Sequence, residues 1–346
     1  MSVTMIATMV ICFALTISVA VSIGLASILG IQASNANMLI SVKEMFASIN
    51  KFPLAAIPFF ILAGNLMETG GISRRLVEFA KSIVGGVQGG LPMTCVLTCM
   101  IFAAVSGSSV ATTFAIGAIL IPALIKHGYP TSYAAALQAT SAELGVIIPP
   151  SIPMILYGVS AEVSIGELFI AGFGPGILIS GALMLFVWVY CKWQGWGKHD
   201  GDGRMPFGRA LLQAGWALLM PVIILGGIYG GVFTPTEASA VAVFYALVCG
   251  KWVYRTLKWS ALPGILARSA MLTASVLLVM ATSAAFAWVL TVEGIPQYLS
   301  ELIVSWELSP VMFLIAVNIL LLVFGIFMEP LPGVMILVPI LAPIAF

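Results

Sequence analysis

The chain has 346 residues, of which 61% are hydrophobic and 8% are charged, and its formal net charge is +1. In an ordinary soluble domain about a quarter of the residues are charged, so this composition excludes that class and predicts a membrane protein. The near-zero net charge gives no support for nucleic-acid binding. The five cysteines mostly lie in apolar stretches, and neither they nor the two histidines form a metal-ligand pattern, so we expect no cofactor.

Long apolar runs predict transmembrane helices, because they show no period-two alternation of the kind that barrel strands require. About 20 apolar residues cross the hydrocarbon core as a helix. The first run lacks a basic start and exceeds the usual length of a secretion signal, so we interpret it as a retained span. The runs predicted to be continuous helices are 3–30, 166–191, 210–230 and 269–290.

The basic loops predict the orientation, because short loops rich in Lys and Arg stay in the cytoplasm. Two basic stretches, 192–209 and 251–268, are separated by two spans, so both can be cytoplasmic. The acidic turn that carries Glu162 and Glu167 is then periplasmic, and the amino terminus is cytoplasmic. We therefore expect a multi-pass protein of the bacterial inner membrane, in contact with lipid.

The apolar stretch 91–126 is interrupted near its middle by four small residues. A regular helix does not continue smoothly through such a run, and we predict a re-entrant hairpin that enters and leaves the membrane on the same side. The interrupting residues are Ser106, Gly107, Ser108 and Ser109.

The next apolar stretch, 133–160, contains a proline pair that interrupts its helix. Proline has no amide donor and disfavours helix at the preceding residue, so Pro149 and Pro150 release carbonyl groups between Gly145 and Ile148. At membrane depth, unpaired backbone persists only where it lines a cavity or coordinates a ligand. We therefore predict a broken span here.

A weak internal repeat relates the two halves of the chain. In each half an amphipathic stretch precedes an apolar hairpin with a glycine-containing break, and the returning arm reaches a proline. The loop count has the two hairpins opening to opposite sides, which predicts the inverted repeats of many secondary transporters. We assign 1–192 to the first repeat, 193–208 to a cytoplasmic loop, and 209–346 to a second repeat whose hairpin is 311–346.

The two breaks of the first half together predict an ion and substrate site near the membrane midplane. Serine hydroxyls and released carbonyls are neutral oxygen ligands that suit sodium, and helix amino termini suit an anion. Small residues also occur at ordinary helix contacts, so it is the pairing of the breaks that favours a site. The predicted site residues are Ser106, Gly107, Ser108, Ser109, Gly145, Ile148, Pro149 and Pro150, with Gly325, Met328 and Glu329 in the second half.

Glutamates offer an alternative coupling mechanism. An ionisable group at membrane depth is costly and usually functional, so Glu143 and Glu329 are candidates for proton coupling. We interpret Thr236 and Glu237 as the N-cap and first-turn acid of a helix. Glu293 ends a span, and we expect it at the membrane interface.

Five short motifs together carry a resemblance that covers almost the whole chain. They are FFILAG at 59–64, SGSS at 106–109, GVIIPPSI at 145–152, TPTEA at 234–238 and GIFME at 325–329. With these motifs the chain resembles the large membrane subunit of tripartite ATP-independent periplasmic (TRAP) transporters, and it is similar to the dicarboxylate and sialate members.

The resemblance implies a sodium-driven elevator transporter for an organic acid anion, such as a C4-dicarboxylate, a sialate or a related sugar acid. It also implies two partners, a periplasmic substrate-binding protein and a small four-span membrane subunit. The implied sodium ligands are Ser106, Gly145, Ile148 and Pro150, with further ligands around Gly325.

The family continues beyond the position of Phe346 through a second broken span with its own proline pair. We therefore expect that the second ion site lacks one wall in this chain, and that the chain alone does not transport. Two other interpretations stay open: a stand-alone divalent-anion:sodium symporter, and a membrane scaffold without transport. No Ser/Lys, Asp/Asp or His/Glu arrangement recurs within the spans, so we do not expect an enzyme.

Overall fold

The computed structural model describes residues 2–34, 36–198, 204–295, 297–298, 301, 309–327 and 330–345. Within these ranges the regular elements are helices, and no strand occurs. Among the described residues, six helices are long and apolar enough to cross a membrane, and a bent pair of helices makes a seventh candidate span. The prediction of an all-α polytopic membrane protein is confirmed, whereas inverted repeats and an elevator architecture stay predictions.

The helices are numbered along the chain. They are α1 (Ser2–Ala14), α2 (Val19–Ala33), α3 (Leu39–Ile49), α4 (Ala56–Thr69), α5 (Ile72–Val84), α6 (Gly90–Ser106), α7 (Ser109–Lys126), α8 (Thr131–Ala142), α9 (Leu144–Ile147), α10 (Ile152–Ser160), α11 (Ile165–Gln194), α12 (Phe207–Tyr229), α13 (Pro235–Val248), α14 (Leu262–Val292), α15 (Pro310–Phe327) and α16 (Pro330–Ala345).

The chain folds into two compact units that each draw on separate stretches of sequence. The first unit contains Met1–Leu54, Leu156–Val163 and Met271–Phe346, and the second contains Ala55–Ile155 and Ser164–Ala270. These units follow helix packing and do not coincide with the predicted repeats, so the repeat assignment stays a prediction. Both breaks predicted in the first half lie in the second unit.

The amino-terminal run 3–30 is two helices, and our prediction of one continuous span is wrong. A Cβ added to Gly30, near the end of α2, would lie 2.9 Å from Sδ of Met5, near the start of α1, so the helices are antiparallel. Between them Thr16 adopts a φ of 57°. The turn contains neither glycine nor proline, which are the residues that mark such a reversal in a sequence.

Helix packing accounts for this reversal. The core of the first unit lies where α1 and α2 meet the later part of α14, and a residue of α16 also contributes. A single straight helix over 3–30 could not bring Met5 and Gly30 into contact. The buried residues of this core are Met5, Ile23, Ala26, Ile31, Phe286, Val289, Leu290 and Ile336.

The other three predicted spans are confirmed as continuous helices. α11, α12 and α14 contain the runs 166–191, 210–230 and 269–290 almost entirely, and each helix extends beyond its run. α11 and α12 continue through internal prolines, Pro175 and Pro221. A single proline therefore leaves these helices intact, in contrast to the proline pair of the broken span.

In the second unit, α4 contacts both α13 and the predicted hairpin of α6 and α7. It packs along α13 on one side and contacts α6 and α7 on the other. The buried amide of Asn65 on α4 donates to the Ser269 hydroxyl at 2.8 Å, which satisfies a polar side chain at membrane depth. This packing brings α4 against the break between α6 and α7.

The hairpin of the second half consists of α15 and α16. α15 continues through Gly325 to Phe327, so the prediction that Gly325 interrupts the helix is wrong. Gly325 is exposed, and a Cβ added to it would meet nothing within 4 Å. The predicted site residues Met328 and Glu329 lie outside the described residues.

Candidate functional site

The predicted hairpin break lies at the junction of α6 and α7. α6 ends at Ser106, and Gly107 follows with a φ of 62°, a left-handed conformation that glycine adopts at little cost. Ser108 then has extended backbone and caps α7, since its Oγ accepts the Ala111 amide at 3.3 Å. Two helix ends of opposite polarity thus meet at this tip, as a re-entrant hairpin requires.

The proline break also has the predicted position. α8 ends at Ala142 and α9 ends at Ile147. Ile148 is extended, and the peptide bond between Pro149 and Pro150 is cis. α10 begins at Ile152, and its axis is bent by 43° from that of the preceding helix. The break therefore divides one apolar stretch into two half-helices.

Some of the carbonyls before the prolines accept hydrogen bonds, so fewer of them are available to a ligand than the sequence predicted. Residues 144–147 form a short helical turn, and the Ile148 amide bonds back to the Leu144 carbonyl at 2.9 Å. The Ser151 hydroxyl donates to the Val146 carbonyl at 2.6 Å. A serine from the motif itself thus satisfies one of the carbonyls that we predicted to be released.

The two breaks are in direct contact. The Ile152 amide at the start of α10 donates to the Gly107 carbonyl at 3.2 Å. A Cβ on Gly107 would lie 2.5 Å from the Pro150 carbonyl oxygen, and one on Gly145 would lie 2.8 Å from the Ser108 carbonyl oxygen. Both distances are too short for a real Cβ, so the contact requires glycine at both positions.

Neighbouring helices enclose the region where the two breaks meet, which we call the junction. On α4, Gly64 lies against Ser106, because a Cβ added to Gly64 would be 3.6 Å from the Cα of Ser106. On α11, Gly176 accommodates the side chain of Ile148, whose Cγ1 would be 2.6 Å from an added Cβ. The Ile148 side chain is therefore used for packing, and only its backbone can serve an ion.

Hydroxyl groups cluster at the junction. The Ser106 Oγ lies 3.1 Å from the Thr112 Oγ1, and the Thr112 hydroxyl also donates to the Ser108 carbonyl at 2.8 Å. Ser106 and Thr112 are 1% and 0% exposed. Ser109 begins α7, and its carbonyl accepts the Thr113 hydroxyl at 2.9 Å. The sequence analysis did not identify Thr112.

Gln138 on α8 is a second buried polar residue that the sequence analysis missed. Its Nε2 donates to the Thr112 carbonyl at 3.3 Å, and its Oε1 accepts the Cys95 thiol at 3.1 Å. Gln138 and Gly145 are seven residues apart, so they share a helical face. An amide seven residues before the break glycine in an apolar helix is the signal that could have identified it.

Glu143, a candidate for proton coupling, and Glu237, the predicted first-turn acid of α13, have different surroundings. Glu143 is exposed, and it precedes Gly145 by two positions, so the two residues lie on different faces of the chain. Glu237 belongs to a capping box: its amide donates to Thr234 Oγ1 at 3.3 Å, and its carboxylate accepts the Thr234 amide at 2.8 Å. The predicted first-turn acid is confirmed, but the cap is Thr234 and not Thr236, because Pro235 occupies the first helical position.

The junction offers neutral oxygen atoms and two helix ends of each polarity. The segments 106–109 and 145–152 contain no charged residue. The carboxyl ends of α6 and α9 carry partial negative charge, and the amino ends of α7 and α10 carry partial positive charge. Such a junction can coordinate a hard cation and can also attract an anion.

The comparison with protein families extends over nearly the whole chain. The family described as tripartite ATP-independent periplasmic transporter, DctM component, matches residues 3–346. This range includes both breaks and all the helices of both units.

Individual relatives agree with this match. The chain is 42% identical over 330 residues to the isethionate TRAP transporter permease protein DctMQ of Oleidesulfovibrio alaskensis, covering 95% of this chain and 52% of that protein. It is 43% identical over 302 residues to the C4-dicarboxylate TRAP transporter large permease protein DctM of Pseudomonas aeruginosa, covering 87% and 71%. It is 38% identical over 305 residues to the sialic acid TRAP transporter large permease protein SiaM of Vibrio cholerae, covering 88% and 71%.

The chain thus spans about half of the isethionate permease and about seven tenths of the other two relatives. The family match includes the segments in which the two breaks meet, and members of this family are transport permeases of the bacterial inner membrane rather than enzymes. The chain therefore belongs to the DctM family, the family of the DctM component of tripartite ATP-independent periplasmic transporters.

Proposed function

We propose that this chain forms the membrane pathway of a secondary transporter that imports an organic acid anion together with sodium. The observation that carries the proposal is the contact between the two breaks, in which the Ile152 amide bonds the Gly107 carbonyl. Backbone that leaves the helical ladder at membrane depth is costly unless it lines a site. An ordinary helix contact through small residues would not require two interrupted helices to meet.

Sodium is the cation that the ligand chemistry supports. The proposed ligands are oxygens of Ser106, Gly145, Ile148 and Pro150, which are all neutral, so a single positive charge can bind without a buried carboxylate. The family name describes an ATP-independent transporter, which calls for another energy source such as an ion gradient. A second sodium site around Gly325 is proposed from the resemblance alone.

The substrate class is proposed from the relatives and from the charge of the junction. The names of relatives refer to isethionate, C4-dicarboxylate, sialic acid and 2,3-diketo-L-gulonate, which are all organic acids. No lysine or arginine occurs in either break. The negative charge of such a substrate would therefore be balanced by the amino ends of α7 and α10 and by co-bound sodium.

Two partners complete the proposed transporter. The family name calls the transporter tripartite and periplasmic, which supports a periplasmic binding protein that delivers the anion and a small membrane subunit. A stand-alone divalent-anion:sodium symporter is the alternative, and it would transport without a binding protein. Omission of the binding protein from the uptake assay distinguishes these two forms of the proposal.

Uptake in proteoliposomes tests the coupling ion. The full-length protein with its partners is reconstituted, and uptake is measured with an imposed sodium gradient, an imposed pH gradient, or neither. We expect uptake only with sodium. Gly145→Ala should reduce uptake at least tenfold, because the added Cβ would meet the Ser108 carbonyl at 2.8 Å.

Two controls sharpen this experiment. Gly181→Ala on α11 adds the same methyl group where nothing lies within 4 Å, and it should transport like the parent protein. Glu143→Gln should keep the sodium dependence. Uptake driven by the pH gradient in sodium-free buffer, and lost in Glu143→Gln, would instead assign the coupling to protons at Glu143.

A further inference from the structure

The direction of the hydrogen bonds around Thr112 follows from counting donors. A threonine hydroxyl has one hydrogen, and a carbonyl oxygen can only accept. Because the Thr112 hydroxyl donates to the Ser108 carbonyl at 2.8 Å, it has no hydrogen left for Ser106. The 3.1 Å contact between the two hydroxyls therefore has Ser106 as the donor and Thr112 as the acceptor.

This direction determines what Ser106 can offer to a ligand. Once its single hydrogen points to Thr112, the remaining free positions of Ser106 Oγ are lone pairs. Such an oxygen presents its negative side to the junction and can accept a cation without first rotating. We propose that Thr112 is a positioning residue that orients the Ser106 hydroxyl for cation binding, an inference that rests on the proposed sodium site.

Three further observations support a role for Thr112 beyond helix packing. Its side chain is completely buried between the two breaks, and a Cβ on Gly145 would lie 2.9 Å from its Oγ1. Its carbonyl accepts the Gln138 amide at 3.3 Å, so α8 holds this turn of α7 in place. Thr112 thus contacts both breaks and the helix between them, which no threonine bonded only within its own helix would do.

The test compares Thr112→Val with a matched control in the full-length protein and its partners. Valine keeps the shape of threonine but removes the hydroxyl. Thr98 on α6 is also completely buried, and its hydroxyl likewise bonds a carbonyl four residues earlier, at 2.7 Å, so Thr98→Val controls for the loss of such a bond. The readouts are the sodium concentration for half-maximal uptake and the maximal rate at saturating sodium.

We expect Thr112→Val to raise the half-saturating sodium concentration about tenfold, which corresponds to about 1.4 kcal/mol. The maximal rate should stay within about twofold of the parent rate, because saturating sodium overcomes a loss of affinity. Thr112→Ser should restore the parent affinity, and Thr98→Val should keep it. A double variant, Ser106→Ala with Thr112→Val, should lose no more sodium affinity than Ser106→Ala alone, because both changes remove the same interaction.

Three results would overturn the inference. An unchanged sodium affinity in Thr112→Val, with uptake still driven by sodium, contradicts the role of Thr112 but leaves the proposed function intact. Additive losses in the double variant contradict it in the same way. A parent protein without any sodium dependence overturns both proposals together. If Thr112→Val does not yield folded protein, Thr112→Ala and Thr98→Ala replace the pair.

Discussion

Single residues at the junction of the two breaks determine whether the two interrupted helices can meet. Gly107 is constrained twice, because its φ of 62° disfavours a side chain and because the Pro150 carbonyl occupies the position of a Cβ. Gly145 lies in the short helix α9 and is constrained by its neighbours, because an added Cβ would lie 2.8 Å from the Ser108 carbonyl oxygen and 2.9 Å from the Thr112 Oγ1. The motif glycines are therefore required for different physical reasons.

These two constraints on Gly107 can be separated by a matched glycine. Gly231 also has a positive φ, 68°, but a Cβ there would meet nothing within 4 Å. Gly231→Ala should cost only the left-handed strain, about 1–2 kcal/mol, and should lower the melting temperature modestly. Gly107→Ala should lower the melting temperature further and abolish uptake, because the added methyl group separates the breaks.

Thermal unfolding of the detergent-solubilised protein measures both variants, and uptake in proteoliposomes measures transport. Equal melting temperatures for Gly107→Ala and Gly231→Ala would contradict the close contact between Gly107 and Pro150. Uptake retained in Gly107→Ala would show that the contact is not needed for transport.

At the scale of elements, breaks in helices arise from two different causes. The break at 106–109 and the one at 149–150 follow from glycine, serine and proline chemistry, and the sequence predicted both. The turn between α1 and α2 contains no such residue, and Thr16 adopts its positive φ because helix packing brings the two helices together. This difference explains why the prediction of one continuous span over 3–30 was wrong.

Thr16→Gly tests this hairpin. Glycine has no penalty at a φ of 57°, so relief of the strain should stabilise the protein by about 1 kcal/mol and raise its melting temperature. If 3–30 were one continuous helix, the same change would destabilise it by about 1 kcal/mol. Thr8→Gly, inside α1 at a half-buried position, is the control and should lower the melting temperature.

At the scale of the whole molecule, long helices determine which loops lie on opposite sides of the membrane. α11 has 30 residues, and such a helix is about 45 Å long, more than the hydrocarbon core requires. Its amino end follows the turn with Glu162, and its carboxyl end lies at the start of the basic stretch 192–209. We expect the charge difference between these ends to orient the helix.

Reporter fusions test this orientation. A reporter inserted after residue 203 should be cytoplasmic, and one inserted next to Glu162 should be periplasmic. Each position is measured with a reporter that is active only in the cytoplasm and with one that is active only in the periplasm. Placement of both positions on the same side would contradict a spanning α11, and a reversal of both sides would contradict the basic-loop assignment.

The sequence by itself determined the membrane class, three of the long spans and the positions of both breaks in the first half. Composition and hydropathy act locally, and proline and glycine act on their own backbone, so these features need no tertiary information. The five short motifs together, including those around Gly107 and Pro149, also carried the family resemblance. Polar side chains inside apolar helices were harder to interpret, because Thr112 and Gln138 differ from ordinary buried residues only through their partners.

Only the tertiary structure decided which groups meet. The Gly107 carbonyl accepts the Ile152 amide, the Ser151 hydroxyl satisfies the Val146 carbonyl, and Thr112 bonds Ser106. The first of these contacts joins the two breaks, which are far apart in the sequence, and each of the other two connects residues on either side of a single break. The reversal at Thr16 has the same origin, because a strained residue persists only where the surrounding packing determines its conformation.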